Sequence, residues 1–201
     1  LSECIEDKAP NLDESEWFKD CLILINRIIE RRIPRPSKKN EYLEILSGHD
    51  RSDGGLITTI LEMVISGNVG VNINMYLENY YMKDRTKILD IFDIYRLLFS
   101  EELGIVLEVP KNQVDDFFTV FDDDFLFLIG ETVDIPNIIL NIDDCNILST
   151  DIDLMRQWWE FPSYQLEKEQ CNLACVESEN KFLTSSQEYS RNYLNKLYHY
   201  L

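Results

Sequence analysis

The chain has 201 residues, 45% of them apolar, and its 37 acidic against 19 basic residues give a formal net charge of −18. This apolar content supports a packed core in one large or two small domains and argues against a disordered chain. The charge argues against binding to nucleic acid or anionic membrane, because contacts to a phosphate backbone need clustered Lys and Arg. A phosphate ligand would have to be held locally, by backbone amides, a few bases or a metal.

Hydropathy and cysteine usage predict a soluble, cytosolic protein. The sequence has no apolar run of about 18 residues and no basic-then-apolar signal pattern at its start. Its five cysteines, odd in number and widely spaced, argue against a disulfide framework. Cys171 and Cys175 lack a second Cys or His pair, so free thiols are favoured over a zinc site. The only two histidines, His49 and His199, nearly exclude a His-based metal site.

The first third of the chain predicts one helix, a loop and a short strand. Residues 1–14 have no sustained period and are typical of an incoming segment from a preceding domain. Apolar residues at helical spacing then predict a helix over 16–32, with a buried face formed by Phe18, Cys21, Leu22, Ile25, Ile28 and Ile29. Two prolines and a basic run in IPRPSKKN predict an exposed loop over 33–40, and YLEIL predicts a short strand over 42–46.

A polar, glycine-rich stretch, GHDRSDGG over 48–55, stands directly in front of the next helix. That helix is predicted from 54 to 66, and Gly67 and Asn68 end it because both tolerate a left-handed backbone. VGVNINMYL then predicts a strand over 69–77. The buried side of the helix is formed by Leu56, Ile60, Leu61, Val64 and Ile65.

The remaining elements alternate between helices and strands. After a tyrosine-rich loop, the pattern predicts helices over 88–99, 111–121 and 150–169, and strands within 102–110, 124–132, 137–142 and 145–149. Together with the earlier elements this gives about five or six strands among helices, which predicts an α+β fold with a mixed β-sheet flanked by helices. We expect one α/β domain over 15–170, and residues 171–201 to form a polar linker or docking arm.

GHDRSDGG has the residue types of a phosphate and metal site. Asp53 is predicted to be the helix N-cap, and Gly54 and Gly55 leave the first turn bare, so that its amides and the helix dipole can meet an anion. Ser52 can donate to a phosphate oxygen, and the carboxylate of Asp50 can hold magnesium. The alternative is an ordinary strand-to-helix turn with a cap, which the residue types alone slightly favour.

Neighbouring charged residues each have a second interpretation. His49 could be a general base or a hydrogen-bond donor to phosphate, but a structural hydrogen-bonding role is favoured. Arg51 could approach a phosphate or face outward as a surface charge. Glu101 and Glu102 could serve acid–base chemistry, although adjacent side chains point apart, which favours a solvated or capping role for one of them.

Several motifs in the same order resemble the large, single-chain phosphoribosylformylglycinamidine synthases. HDRSDGGL followed by TTILEMVISGNVGVNINM is similar to their C-terminal synthase region, and DKAPNLDE, LLFSEELGIVLEVP and LMRQWWEFPSYQLEKEQCNLACVESE are similar to three further stretches. The resemblance covers most of residues 5–179. Two departures, the insertion IPRPSKKNEYLE and a lengthened region over 75–92, fall in loop-like sequence.

The resemblance implies a fold and an activity. It implies a fold like the C-terminal domain of aminoimidazole ribonucleotide synthase and a place as the second domain of a second synthase pair. The family converts formylglycinamide ribonucleotide, ATP and glutamine into formylglycinamidine ribonucleotide, ADP, phosphate and glutamate. The implied partners are the other synthase domains and the glutaminase domain of the same chain, in the cytoplasm, without nucleic acid or membrane. The 201 residues alone are then expected to be inactive.

The resemblance also implies site residues. It gives Asp50 as a magnesium ligand and Ser52 as a nucleotide contact, beside Gly54 and Gly55, at the site of a retained ATP or ADP, and it assigns no catalytic residue to this chain. Two other interpretations stay open. One is a non-catalytic interaction or scaffold protein that keeps the fold, and the other is a different enzyme of the aminoimidazole ribonucleotide synthase superfamily.

Overall fold

The computed structural model describes residues 15–81, 91–121 and 126–185. The helices are α1 Ser15–Ile29, α2 Gly55–Gly67, α3 Leu77–Tyr81, α4 Ile91–Phe99, α5 Val114–Val120 (after a 3-10 turn Lys111–Gln113), α6 Ile152–Gln170 and α7 Leu173–Ser185. The strands are β1 Pro34–Arg35, β2 Lys38–Tyr42, β3 Ser47–Asp50, β4 Gly70–Met75, β5 Ile105–Glu108, β6 Gly130–Val133, β7 Asn137–Ile142 and β8 Cys145–Asp151. The α+β class with a mixed sheet is confirmed.

Contacts divide the described residues into two units, one within 1–63 and 77–129 and the other within 64–76 and 130–201. The second unit holds a four-stranded sheet in the order β6-β4-β7-β8, in which β4 and β7 are parallel and the outer pairs are antiparallel. Alternation along β4 and β7 puts one row of side chains on a buried face. That row is Val71, Ile73, Met75, Ile138, Leu140 and Ile142.

Helix α6 follows β8 directly in the second unit. Its N-cap is Asp151, whose carboxylate accepts a hydrogen bond from the Leu154 amide at 2.7 Å. One turn later the Arg156 guanidinium donates to the Ile65 carbonyl at 2.8 Å, near the C-terminal end of α2, where carbonyls lack helical partners.

Among the described residues, no helix is long and apolar enough to cross a membrane.

The first unit is built around Ile28, Leu43 and Phe117, which are buried together. Strands β3 and β5 form an antiparallel pair, and β1 and β2 form a second one. The loop predicted over 33–40 is therefore wrong, although most of these residues are exposed as predicted. Those residues contribute to the β1–β2 hairpin, and Arg35 in it is only 3% exposed.

Ion pairs of Arg35 with two acidic residues fix the position of the hairpin. The local pattern of prolines and lysines does not predict them. Arg35 Nε donates to Asp116 Oδ2 at 2.9 Å, and its Nη1 donates to Glu41 Oε2 at 2.6 Å. The Ser37 amide and hydroxyl also donate to Asp116, each at 2.8 Å. A buried guanidinium and carboxylate satisfied in this way anchor the hairpin to α5.

Other predicted boundaries were shifted. The strand predicted over 42–46 was wrong, since β2 ends at Tyr42 and β3 begins at Ser47, and Leu43 between them is buried in the core. In the stretch 124–132 only Gly130–Thr132 lies in a strand, among its described residues. Residues 173–185 form α7, while the role of 171–201 as linker or docking arm stays a prediction. The predicted incoming segment over 1–14, and residues 186–201, lie outside the described residues.

Candidate functional site

The GHDRSDGG stretch lies between β3 and α2, as predicted. Strand β3 ends at Asp50, which pairs with Ile105 of β5, and the Asp50 side chain is 76% exposed. The Ser52 carbonyl accepts the Gly55 amide at 2.9 Å, which closes the turn into α2. The loop thus presents the Asp50 carboxylate to solvent at a fixed strand end, two residues before Ser52.

The helix begins one residue later than the sequence indicates. Because α2 begins at Gly55, Asp53 lies two residues before the helix, and the prediction that it is the N-cap is wrong. Gly54 has φ +85° and Gly55 has φ +74°, a left-handed backbone that side chains rarely adopt. A Cβ on Gly55 would lie 2.7 Å from the Phe99 carbonyl carbon and 2.8 Å from the Leu98 oxygen. The glycine is needed because the loop turns directly against the end of α4.

Arg51 faces the end of α4 and so matches neither of its two predicted roles. Its Nε donates to the Ser100 carbonyl at 3.0 Å, and its Nη2 donates to the Leu97 carbonyl at 3.1 Å and the Ser100 hydroxyl at 2.9 Å. A cation at this position satisfies carbonyls that lack helical partners and complements the negative end of the helix dipole. Arg51 therefore fixes the loop to α4.

Glu101, the residue after Ser100, contacts the same loop. Its Oε1 accepts the Gly54 amide at 3.0 Å, so the capping role weighed for one acid of the EE pair is the one seen. Thr59, which the sequence reasoning missed, is buried and lies with its hydroxyl 3.2 Å from both the Asp50 and the Gly55 carbonyl oxygens. It ties the end of β3 to the start of α2. The only feature of the sequence that could have indicated this role is the position of Thr59 one turn after the start of α2.

His49 makes contacts that fit a structural role. Its Nδ1 lies 2.7 Å from the Asp50 carbonyl oxygen, and its Nε2 lies 3.2 Å from Glu62 Oε2 on α2. Both ring nitrogens therefore have protein partners, which favours the structural interpretation over that of a phosphate donor.

The Asp50 carboxylate is the candidate metal ligand at this loop. In the part of the chain that the structure describes, no three His, Cys, Asp or Glu side chains cluster in a way that could hold a metal ion. Magnesium commonly takes one or two protein carboxylates and fills its other positions with phosphate oxygens and water. The exposed carboxylate of Asp50 fits this kind of coordination.

A cavity of about 390 Å³ in the first unit is lined mainly by apolar side chains, with Arg51 of the loop at its wall. Burial raises the pKa of the Tyr80 hydroxyl to about 12, although the positive charge of Arg51 acts in the opposite direction, so the phenol stays neutral at physiological pH. Apolar walls do not stabilise a phosphate, which makes the loop the better anion site. The lining includes Trp17, Phe18, Leu56, Tyr80, Phe117 and Phe118.

Comparison with known proteins identifies relatives across most of the chain. A protein of Arabidopsis thaliana named probable phosphoribosylformylglycinamidine synthase, chloroplastic/mitochondrial, is 32% identical over 182 residues, which is 89% of this chain and 11% of that protein. The phosphoribosylformylglycinamidine synthase of Dictyostelium discoideum is 40% identical over 69% of the chain, and the human one is 29% identical over 91%. The chain spans only 11–13% of the length of these relatives.

Solved structures resemble the chain more distantly. Those of T. maritima PurL complexed with FGAR and with ATP match 55% of the chain, with TM-scores of 0.42 and 0.43 and identities of 16% and 15%. The family described as AIR synthase related protein, C-terminal domain, matches residues 35–143, which include β2 to β7 and the GHDRSDGG loop. The chain therefore belongs to the family of AIR synthase related protein C-terminal domains.

Proposed function

We propose that this chain is a domain of a phosphoribosylformylglycinamidine synthase and contributes part of a magnesium–nucleotide site. The observation that carries the proposal is the exposed Asp50 carboxylate at the end of β3, beside Ser52 and a glycine helix start, in a chain whose relatives bear that enzyme's name. A strand end followed by the N-terminus of a helix is a favourable place for a phosphate and its counter-ion.

Each residue of the loop has a distinct part in this proposal. Asp50 would hold magnesium as a negatively charged oxygen ligand, and Ser52 would donate its hydroxyl to a phosphate oxygen. Gly54 and Gly55 would shape the pocket, because their left-handed backbone makes the tight turn from Ser52 into α2. When bound, the metal would offset the phosphate charges, which matters because the chain carries a net charge of −18.

The complete reaction needs more than this chain. The proposed enzyme is an ATP-dependent C–N ligase that uses glutamine to convert formylglycinamide ribonucleotide into formylglycinamidine ribonucleotide. The other synthase domains and a glutaminase domain of the same polypeptide would supply the remaining groups. A cytoplasmic location is part of the proposal, although one relative is named chloroplastic/mitochondrial.

A non-catalytic scaffold protein with the same fold is the second candidate. The carboxylate of Asp50 and the hydroxyl of Ser52, which could bind a metal and donate a hydrogen bond to a phosphate, are both present. Their presence favours the enzyme over the scaffold. Loss of the partner domains' ligands in the full-length protein would favour the scaffold.

Asp50→Asn in the full-length protein tests the proposal. The amide keeps the shape of the side chain but removes the charge that binds magnesium, so we expect about tenfold weaker ADP binding, equivalent to about 1.4 kcal/mol. If the nucleotide is the retained one, bound ADP and melting temperature fall before turnover does. If the site is catalytic, turnover falls first. The measurement is nucleotide content after gel filtration, together with melting temperature and turnover.

Asp53→Asn is the matched control, because it removes an equal charge from an exposed position in the same loop. It should leave all three quantities unchanged. If Asp50→Asn also leaves all three unchanged, Asp50 is only a turn residue and the proposed site is wrong.

A further inference from the structure

The loop over 50–55 donates several hydrogen bonds to the segment over 97–105. Arg51 on the loop donates from its side chain to Leu97 and Ser100, and its amide donates to the Gly104 carbonyl at 2.8 Å. Glu101 on the same segment also accepts a bond from the loop, from the Gly54 amide at 3.0 Å. The two stretches are 47 residues apart at the Gly54–Glu101 contact, so they form one local structure only in the folded chain.

Glu101 acts at one of the two glycines with a left-handed backbone in this loop. Gly54, with φ +85°, is the point where the chain turns from Ser52 and Asp53 into α2. A carboxylate that accepts a backbone amide at a helix N-terminus makes a charge-assisted bond and interacts favourably with the helix dipole. The neighbouring Glu102 has the same charge and is also exposed, but the Gly54 bond is made by Glu101.

We propose that Glu101 is a positioning residue for the Asp50–Ser52 site, and this inference rests on the function proposed above. By holding the Gly54 amide, Glu101 fixes the turn that sets where Asp50 and Ser52 stand relative to the start of α2. A phosphate at the same N–H would stand close to the negative charge of Glu101 and be repelled by it. A phosphate would therefore approach from the side of Asp50 and Ser52, and Gly54 would support the turn rather than donate to the ligand.

The test is a magnesium titration of ADP binding by the full-length protein, with melting temperature measured alongside. For Glu101→Ala we expect the magnesium concentration at half-maximal ADP binding to rise about tenfold, because the turn loses a charge-assisted bond. Glu101→Gln should recover most of the affinity, since its carbonyl oxygen can still accept the Gly54 amide. Glu102→Ala, which removes the same charge from the adjacent residue, should behave like the unmodified protein.

Three outcomes would overturn the inference. Tighter ADP binding by Glu101→Ala would mean that the carboxylate competes with the ligand. A magnesium requirement equal to that of Glu102→Ala, even with a lower melting temperature, would reduce Glu101 to a purely structural cap. Failure of Glu101→Gln to recover affinity would mean that the charge, not the bond to Gly54, is what matters.

Asp50→Asn in the same titration distinguishes failure of the Glu101 role from failure of the proposed magnesium–nucleotide site. If Asp50→Asn weakens magnesium-dependent ADP binding and Glu101→Ala does not, the positioning role is wrong and the proposed site stands. If Asp50→Asn has no effect, the proposed site fails and the role of Glu101 fails with it.

Discussion

Replacing Gly55 by alanine is expected to destabilise the protein by about 3 kcal/mol and to abolish ADP retention. The residue has φ +74°, and an added Cβ would lie 2.7 Å from the Phe99 carbonyl carbon and 2.8 Å from the Leu98 oxygen. Both atoms are backbone at the end of α4, so no side chain can turn aside to make room. Relief requires α2 and α4 to separate, and that movement displaces the loop carrying Asp50.

Gly67→Ala is the matched control at the other end of α2. A Cβ there would meet only Val69 Cγ2 at 3.9 Å, an ordinary contact, and we expect a change within about 0.5 kcal/mol. Chemical denaturation of both variants gives the two free energies of unfolding. Equal stability of the two variants would mean that the loop and α4 are not packed as closely as described.

Arg35→Ala is expected to lower the melting temperature by about 10 °C. The change removes the guanidinium but leaves the Asp116 carboxylate, whose side chain is 4% exposed, buried without its cationic partner. Breaking one side of a buried pair is more damaging than replacing the whole pair. Arg31→Ala is the control, since its side chain is 75% exposed and its pairing with Glu44 is loose, at 3.6 Å. It should change the melting temperature little.

The effect of Arg35→Ala should depend on pH. Burial raises the pKa of the Asp116 carboxyl, but hydrogen bonds from Ser37 and Arg35 outweigh it and hold that pKa below its usual value. A depressed folded-state pKa gives stability that is present above the unfolded value, about 4, and lost as pH falls through the folded one. Without Arg35 the folded pKa rises, so the difference in melting temperature should be widest near neutral pH and shrink below about pH 4. A constant difference would contradict the ion-pair account.

Elements with a sustained apolar period could be predicted from the sequence, because burial of one face dictates the pattern. Helix α2 and strands β4 and β7 are examples, and all three lie close to their predicted bounds. The hairpin of β1 and β2 could not be predicted in this way. Its anchor is Asp116, 81 residues away from Arg35, and a local pattern of prolines and lysines contains no trace of that partner.

The candidate site shows the same difference between local patterns, which the sequence reveals, and long-range contacts, which it does not. Asp50, Ser52 and the two glycines were recognisable because their chemistry lies within six consecutive residues. The parts played by Arg51 and Glu101 were not, because each depends on a partner 46–49 residues away that only the fold brings near. Thr59 was missed because a threonine on an apolar helix face usually signals nothing more than packing.

The central claim is that the loop after β3 holds a metal-bound nucleotide through Asp50. A crystal structure of the full-length protein grown with ADP and manganese in place of magnesium tests it most directly, since the anomalous signal of manganese locates the metal. We predict a peak about 2.1 Å from a carboxylate oxygen of Asp50, shared with phosphate oxygens of ADP, and the Ser52 hydroxyl within hydrogen-bond distance of a phosphate. ADP and manganese bound elsewhere, with Asp50 exposed to solvent alone, would contradict the account.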